Sequence, residues 1–336
     1  MKKSLIAVTV FAAFAGTSFA QTNVSIYGVV DAGLSYTDNG AAANSKTLGL
    51  GSGQQSGSRL GFKGSEDLGG GLSAIFTLEN GFNIDEGTQG QGRLFGRQAF
   101  VGLSGGFGTV KLGRQYNPIR GAAESIDPFG LGLAGDLKRV FNVYGERADN
   151  TINYTTPKVS GFSGQFAYSF GEVAGSTSAG RQLGLSGSYA NGPLYATLAY
   201  HYRDNSTDAL VDKGSAKSTL LGTTYNFGVA KLHGGFAWNK GDTGVTDNVD
   251  SRDWMLGVSA PLGSGTVLAS YIQHKDKLTD DADAKQWALG YTYNLSKRTN
   301  LYTSYAKINN DANAKIVSAV AGGSASTFNV GLRHKF

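Results

Sequence analysis

The sequence predicts an all-β protein, a sixteen-stranded antiparallel transmembrane β-barrel, and three observations lead there. Apolar and polar residues alternate with a period of two through segment after segment of about ten residues, as in half-buried antiparallel strands. Short and long joins alternate along the chain, seven short and eight long, which together connect sixteen strands. The polar faces carry Ser, Thr, Gln, Asn, Gly, Lys, Arg and Glu. That is too hydrophilic for a dry core, and a barrel of this strand number would be too wide to fill with side chains.

In chain order, the first element is Lys2 and Lys3, an apolar run over residues 5–15 (LIAVTVFAAFA) and Ser18-Phe19-Ala20. A basic start, a short apolar stretch and a small-x-small site make residues 1–20 a secretory signal peptide, with the mature chain beginning at Gln21. No later apolar run is long enough to cross a bilayer as a helix. Removing Lys2 and Lys3 takes the formal net charge from +5 to +3, and the basic residues are scattered, so nothing suggests a nucleic-acid partner. The chain has no cysteine, which excludes disulfides, thiolate metal sites and a cysteine nucleophile. Fifty glycines would suit a low-complexity chain, but 11 % aromatic residues and the lack of long Ser/Gly tracts predict one ordered domain over residues 21–336.

The strands then follow. In QTNVSIYGVVDAGLSY, Val24, Ile26, Val30 and Leu34 share one face, opposite Ser25, Asp31 and Ser35. In GFSGQFAYSF, Phe162, Phe166, Tyr168 and Phe170 oppose Ser163, Gln165, Ala167 and Ser169. PLYATLAYHYR aligns Leu194, Ala196, Leu198, Tyr200 and Tyr202; RDWMLGVSAPL aligns Trp254, Leu256, Val258, Ala260 and Leu262. KQWALGYTYNL sets Trp287, Leu289, Tyr291, Tyr293 and Leu295 against Gln286, Ala288, Gly290, Thr292 and Asn294. Apolar faces with rings at their ends suit lipid between two aromatic girdles, and the polar faces suit a water-filled lumen.

Short joins fall at residues 66–70, 104–108, 157–161, 190–193, 226–229, 261–265 and 294–298. Longer ones lie near 38–54, 83–92, 117–147, 171–180, 204–214, 240–250, 277–283 and 309–325. Short turns at one rim and long loops at the other, with both termini on the short-turn side, is the outer-membrane barrel pattern. The last segment, STFNVGLRHKF, puts Phe328, Val330, Leu332, His334 and Phe336 on one parity. It must pair with the first strand, because an unclosed sheet would leave a bare edge in hydrocarbon.

Several of these segments are also familiar as sequence. NVSIYGVVDAGL, GSRLGFKGSEDLGGGLSAIFTLE, RQAFVGLSGGFGTVKLGRQ, YNFGVAKL, YNLSKRTNLY and the terminal VGLRHKF resemble the general diffusion porins of Gram-negative bacteria, the β-proteobacterial Burkholderia and Bordetella type most of all. The similarity runs through the mature chain. It implies a homotrimer in outer-membrane lipid and lipopolysaccharide, a third long loop folded into the lumen, and a terminal Phe336 read by the barrel-assembly machinery. It implies passive passage of ions and small hydrophilic solutes, with no enzymatic chemistry and no cofactor.

On that resemblance, residues 115–150 hold the constriction loop, lying against the wall through Ile119, Ile126, Phe129, Leu131, Leu133, Phe141 and Tyr144. Its acids, Glu124 and Asp127 with Asp136 as a further candidate, are expected to face basic residues of the wall. Arg97 and Arg147 occupy positions matching the family's constriction arginines. Arg59 and Lys63 lie on the polar parity of SGSRLGFKG, and Lys111 lies between Val110 and Leu112, so all three should point inward. This set predicts a mild anion preference.

Other motifs read more plainly. GLGLAG (Gly130, Gly132, Gly135) matches G-x-G-x-x-G but follows no βαβ strand, so phosphate binding is not expected. His201, His233, His274 and His334 stand on separate strands without a nearby hydroxyl or carboxylate motif. DNVDSRD (247–253) and TDDADAK (279–285) read as solvated loops, with divalent-cation binding as the alternative. A sugar-selective channel would need aromatics along the lumen, a barrel hydrolase a Ser/His/acid set at the rim, and an adhesin longer loops.

Overall fold

The computed structural model describes residues 23–41, 43–141, 145–242 and 248–336. Residues 1–20, expected from the sequence to be a signal peptide, and Gln21, Tyr144 and Asp247 lie outside the described residues. The first half contributes the strand segments β1 (Asn23–Asp38), β2 (Lys46–Ser52), β3 (Arg59–Gly69), β4 (Leu72–Asn83), β5 (Thr88–Gln89), β6 (Gln98–Gly105), β7 (Gly108–Tyr116), β8 (Arg147–Thr155) and β9 (Phe162–Ser169). The second contributes β10 (Gln182–Asn191), β11 (Leu194–Asp204), β12 (Ser215–Asn226), β13 (Lys231–Gly241), β14 (Val249–Leu262), β15 (Gly265–Asp276), β16 (Ala284–Asn294), β17 (Thr299–Asn310) and β18 (Ser324–Lys335). All pairings are antiparallel.

These segments build sixteen staves. β2 and β3 both pair with β1, through Asp38↔Lys46 to Ala32↔Ser52 and Val29↔Arg59 to Asn23↔Ser65, so they are two halves of one stave. β5 and β6 share β4 in the same way. The alternation of polar joins marks 38–54 and 83–92 as loops; in each case part of the join is strand, paired with the stave before it. Elsewhere the joins fall where expected, and several shrink to two residues, such as Gly70–Gly71 and Gly192–Pro193.

The sheet closes on itself. β18 pairs with β1 from Asp38↔Ser326 to Val29↔Lys335, and beyond it Gly28 and Phe336 exchange both backbone hydrogen bonds at 3.1 Å. A Cβ on Gly28 would run into the Phe336 ring, so glycine there lets the terminal aromatic lie flat across the seam. Along β1, Val24, Ile26 and Leu34 are 55, 65 and 51 % exposed whereas Asp31 is 0 % exposed. Outward rings pair near both rims, Phe162 with Tyr189 and Tyr225 with Phe227 by the short turns, Tyr168 with Phe170 and Phe236 with Trp238 by the long loops.

The connection from β7 to β8, residues 117–146, turns into the barrel. Pro118 sits at the first turn of helix α1 (Pro118–Ile126), where its missing N–H costs nothing. Ile119, Ala122, Ala123 and Ile126 recur at helical spacing and form one buried face. They pack with Leu137, Val140 and Phe141 onto inward-pointing Leu220, Met255, Ile272 and Ile308 of the wall. Each such large apolar side chain gains roughly 1.5–3 kcal/mol from burial. Beyond the helix, Phe129, Leu133 and Ala134 settle against Leu268, Tyr302 and Ala306.

The tip of this loop explains the break between β2 and β3. Leu133 N donates to Gln54 O at 2.5 Å, so the wall chain at 53–58 leaves the ladder to receive the loop. Asp31 holds the detour in place. Its carboxylate accepts from Gln55 N at 3.0 Å, Ser56 N at 2.7 Å and Tyr302 Oη at 2.7 Å.

Candidate functional site: the constriction between loop and wall

The inward loop narrows the lumen to a space of about 740 Å³ against β1, β3, β4 and the start of β6. Its polar lining is built on Glu79, which points inward from the middle of β4 opposite Gly61. Arg97 Nε donates to Glu79 Oε1 at 2.8 Å, Arg59 Nε lies 3.7 Å from Oε2, and Tyr27 Oη donates to Oε2 at 2.9 Å. Arg97 then reaches on to Tyr116, donating from Nη2 to its hydroxyl at 2.7 Å, and Arg147 Nη2 donates to the same oxygen at 2.8 Å. The three arginines singled out from the sequence thus meet in one cluster, two sharing a carboxylate and two sharing a phenol.

The loop supplies the other side. Arg120 pairs with Glu124 one helical turn on and lies 3.7 Å from Glu146, which also takes Arg147 at 3.2 Å and Lys138 at 3.9 Å. Burial opposes ionisation of Glu146, but Arg147, Lys138, Arg120 and Arg97 outweigh it and hold the carboxyl below its ordinary range. Asp136, 3.7 Å from Lys138, is pushed the other way by burial, which Lys138 and Arg139 only partly offset. Glu124 and Asp136 both border the opening.

Asp127 borders a second space that Arg59 and Arg333 also line, but its hydrogen bonds go to the loop's own backbone and not to an arginine of the wall. It is 5 % exposed, and its carboxylate accepts from Phe129 N at 3.0 Å, Leu131 N at 2.9 Å and Leu137 N at 3.3 Å. It folds the loop beneath the opening. Leu131 and Leu133, at φ 58° and 60°, are held in the left-handed region by that turn and by the Gln54 contact. Burial, with Asp136 nearby, raises Asp127 to about 7, against the pull of its three N–H donors.

Lys63 and Lys111 also stand apart. Lys63 Nζ lies 5.2 Å from the Tyr27 ring and Lys111 Nζ 5.1 Å from the Phe100 ring, both nearer the short-turn rim and outside the narrow lining. Glu79, Tyr116, Arg120, Glu146 and Lys138 were not singled out from the sequence. Glu79 had a usable signal, a single acid on the inward parity of LSAIFTLEN; the i, i+4 spacing of Arg120 and Glu124 after Pro118 was another.

The histidines are held by structural contacts, and His233 also borders the lumen beside the loop. His233 bonds Ile126 O and Ser259, His334 bonds Thr299, and His201 is buried. His274 lies 2.6 Å from Asp253, a partner that sequence spacing does not suggest; Asn239 bonds the other oxygen of that acid at 2.7 Å. Among the described residues no group of three or more His, Asp or Glu is arranged to hold a metal ion.

Comparison with known proteins agrees with this geometry. A family model described as Gram-negative porin matches residues 7–313. The chain is 40 % identical to outer membrane porin protein 32 of Delftia acidovorans and 37 % identical to an outer membrane porin protein of Bordetella pertussis, each over the whole of both chains. Its structure resembles the anion-selective porin from Comamonas acidovorans with a TM-score of 0.81 and 36 % identity, covering 94 % of this chain and 100 % of that one. The trimer form of OmpT from Vibrio cholerae, at 16 % identity and a TM-score of 0.72 over 94 % of this chain and 99 % of that one, shares the fold. With a closed barrel, polar lumen and charged narrowing already in place, the chain belongs to the Gram-negative porin family, a water-filled outer-membrane pore for passive diffusion of small hydrophilic solutes.

Proposed function

We propose that the narrowing between residues 117–146 and the facing wall sets a mild anion preference for this pore. The observation that carries the reading is the sign of the lining. Arg59, Arg97, Arg120, Lys138, Arg147 and Lys335 stand against Glu79, Glu124, Asp136 and Glu146. The basic excess raises local anion concentration, and low-dielectric walls focus its field. At physiological salt the Debye length is about 8 Å, so the field is weakened without being abolished. Arg59, Arg97 and Arg147 act directly in this reading, Glu124 sets the opposing side, and Lys63 and Lys111 feed the approach from the short-turn rim.

The test is single-channel recording with reversal potentials in a salt gradient. Arg59→Ala with Arg97→Ala should raise conductance, admit larger neutral sugars and shift selectivity toward cations. The shift should be pronounced because Glu79 keeps only Tyr27 as a partner. An unchanged reversal potential in the double variant would sink the assignment. A sugar-selective role has less support: Tyr27, Tyr116 and Tyr302 are committed to Glu79, arginines and Asp31 instead of forming a continuous track of rings.

We also propose a homotrimer in contact with lipopolysaccharide, residues 1–20 as a cleaved export signal, and Phe336 as the residue read by the assembly machinery. A solved outer membrane protein of the same fold is described in a trimer form. The position of Phe336 across the seam suits a signal presented at the closing edge of the barrel.

A further inference from the structure

Tyr116 closes β7 just where the chain turns inward, and three guanidinium groups converge on it. Arg97 and Arg147 both donate to its hydroxyl, at 2.7 and 2.8 Å. Arg120 and Arg147 also lie over its ring, with Cζ at 4.0 and 4.5 Å from the centroid. One of these arginines precedes β6, one belongs to α1 and one begins β8. A single side chain therefore ties the wall to both ends of the inward loop.

We propose that Tyr116 is the positioning residue of the constriction, a neutral hub that gathers three arginines without cancelling their charge. The chemistry is specific to a phenol. Its oxygen offers two acceptor lone pairs, enough for two guanidinium donors. Its ring face attracts further cations through the quadrupole. A carboxylate would hold the arginines equally well, but each one neutralises a unit of charge, as Glu79 and Glu146 already do. A leucine would fill the space and let the like charges drift apart. The anion preference then depends on a residue that carries no charge itself.

The inference rests on the reading of the arginine cluster as the ion-selecting element, and the experiment separates the two. Wild type, Tyr116→Leu, Tyr116→Phe and the Arg59→Ala/Arg97→Ala double variant would be compared by reversal potential at low salt and by conductance at 1 M salt. Tyr116→Leu should lower the anion-to-cation permeability ratio by about two- to fivefold, the order expected when a unit charge moves a few ångströms further from the permeating ion in water. At 1 M salt the Debye length is only about 3 Å, so conductance there reports pore width more than charge, and it should stay near the wild-type value. Tyr116→Phe keeps the ring and loses the shared acceptor; it should retain most of the ratio but show greater current noise as Arg97 and Arg147 come loose. A wild-type ratio in Tyr116→Leu, with a reduced one in the arginine double variant, overturns the role of Tyr116 alone. Wild-type ratios in both overturn the ion-selecting reading beneath it. A fall in 1 M conductance matching the fall in ratio overturns the positioning role in favour of simple collapse. If Tyr116→Leu does not assemble, Tyr116→Phe decides: wild-type noise together with a wild-type ratio overturns the proposal.

Discussion

Glu79 bears the heaviest demands of any single residue in the pore. It is 4 % exposed and holds two arginines and a tyrosine. A buried acid of this kind needs its partners, because an uncompensated buried charge is strongly destabilising. Glu79→Gln keeps the shape and an acceptor while removing the charge. One unit charge about 6 Å away in water is worth roughly 0.7 kcal/mol to each ion, repelling the anion and attracting the cation, so the anion-to-cation permeability ratio should rise by up to about tenfold, as read from reversal potentials. The same variant should melt at a lower temperature, since Arg59 and Arg97 then repel each other without relief. Gly28 makes a purely steric demand. Gly28→Val should slow closure of the barrel by driving the Phe336 ring off the seam, measured as a longer lifetime of the heat-sensitive form during refolding.

At the scale of elements, the inward loop is held by two means that respond to different perturbations. Its apolar bed is one, and Met255→Ala or Ile272→Ala should cost about 2–5 kcal/mol of docking energy. Protease cleavage within residues 117–146 would then increase while the barrel itself stayed intact. The turn around Asp127 is the other. Its carboxyl is raised from 3.8 to about 7 when the loop is docked. A raised acid stabilises the docked state fully while protonated in both states, and that contribution is lost as pH climbs from 3.8 through about 7. Hydrogen exchange at the amides of Phe129, Leu131 and Leu137, corrected for intrinsic rate, should therefore accelerate toward neutral pH; Asp127→Asn should flatten the response.

The staves themselves were legible because a residue's parity in a strand is local and lipid on one side enforces it. Joins were legible because turns announce themselves in glycine and proline. The helix inside the loop had its pattern in Pro118, Ile119, Ala122 and Ile126, a span too short to stand out beside the strands on either side. Inward apolar residues such as Leu220, Met255 and Ile272 were obscured for a different reason. They break the polar parity of their strands because a segment far earlier in the chain covers them, and no local window contains that fact. The partners of Asp127 were hidden for the same reason: no local window shows that the loop's own backbone folds round the carboxylate.

For the whole molecule, closure decides everything. Deleting Phe336, or replacing it with a charged residue, should leave the chain unassembled and degraded in the periplasm, and normal surface levels by protease shaving would refute that. Chemical cross-linking in mild detergent should trap three copies, with contacts through the outward small aliphatics near β1 and β18; monomers alone would contradict the trimer.

The seam also places β1 and β18, the first and last strands described, side by side. Gly28 meets Phe336 about 300 residues further along the chain. The entropy of closing so long a span grows only as the logarithm of its length. The arrangement is therefore inexpensive at equilibrium, yet contacts of such high order form slowly. A chain that lacks β18 is not a slightly weaker pore; it is an open curtain of strands. Quality control of the product is thereby written into its topology: a chain can hold water and exclude lipid only when it carries both β1 and β18.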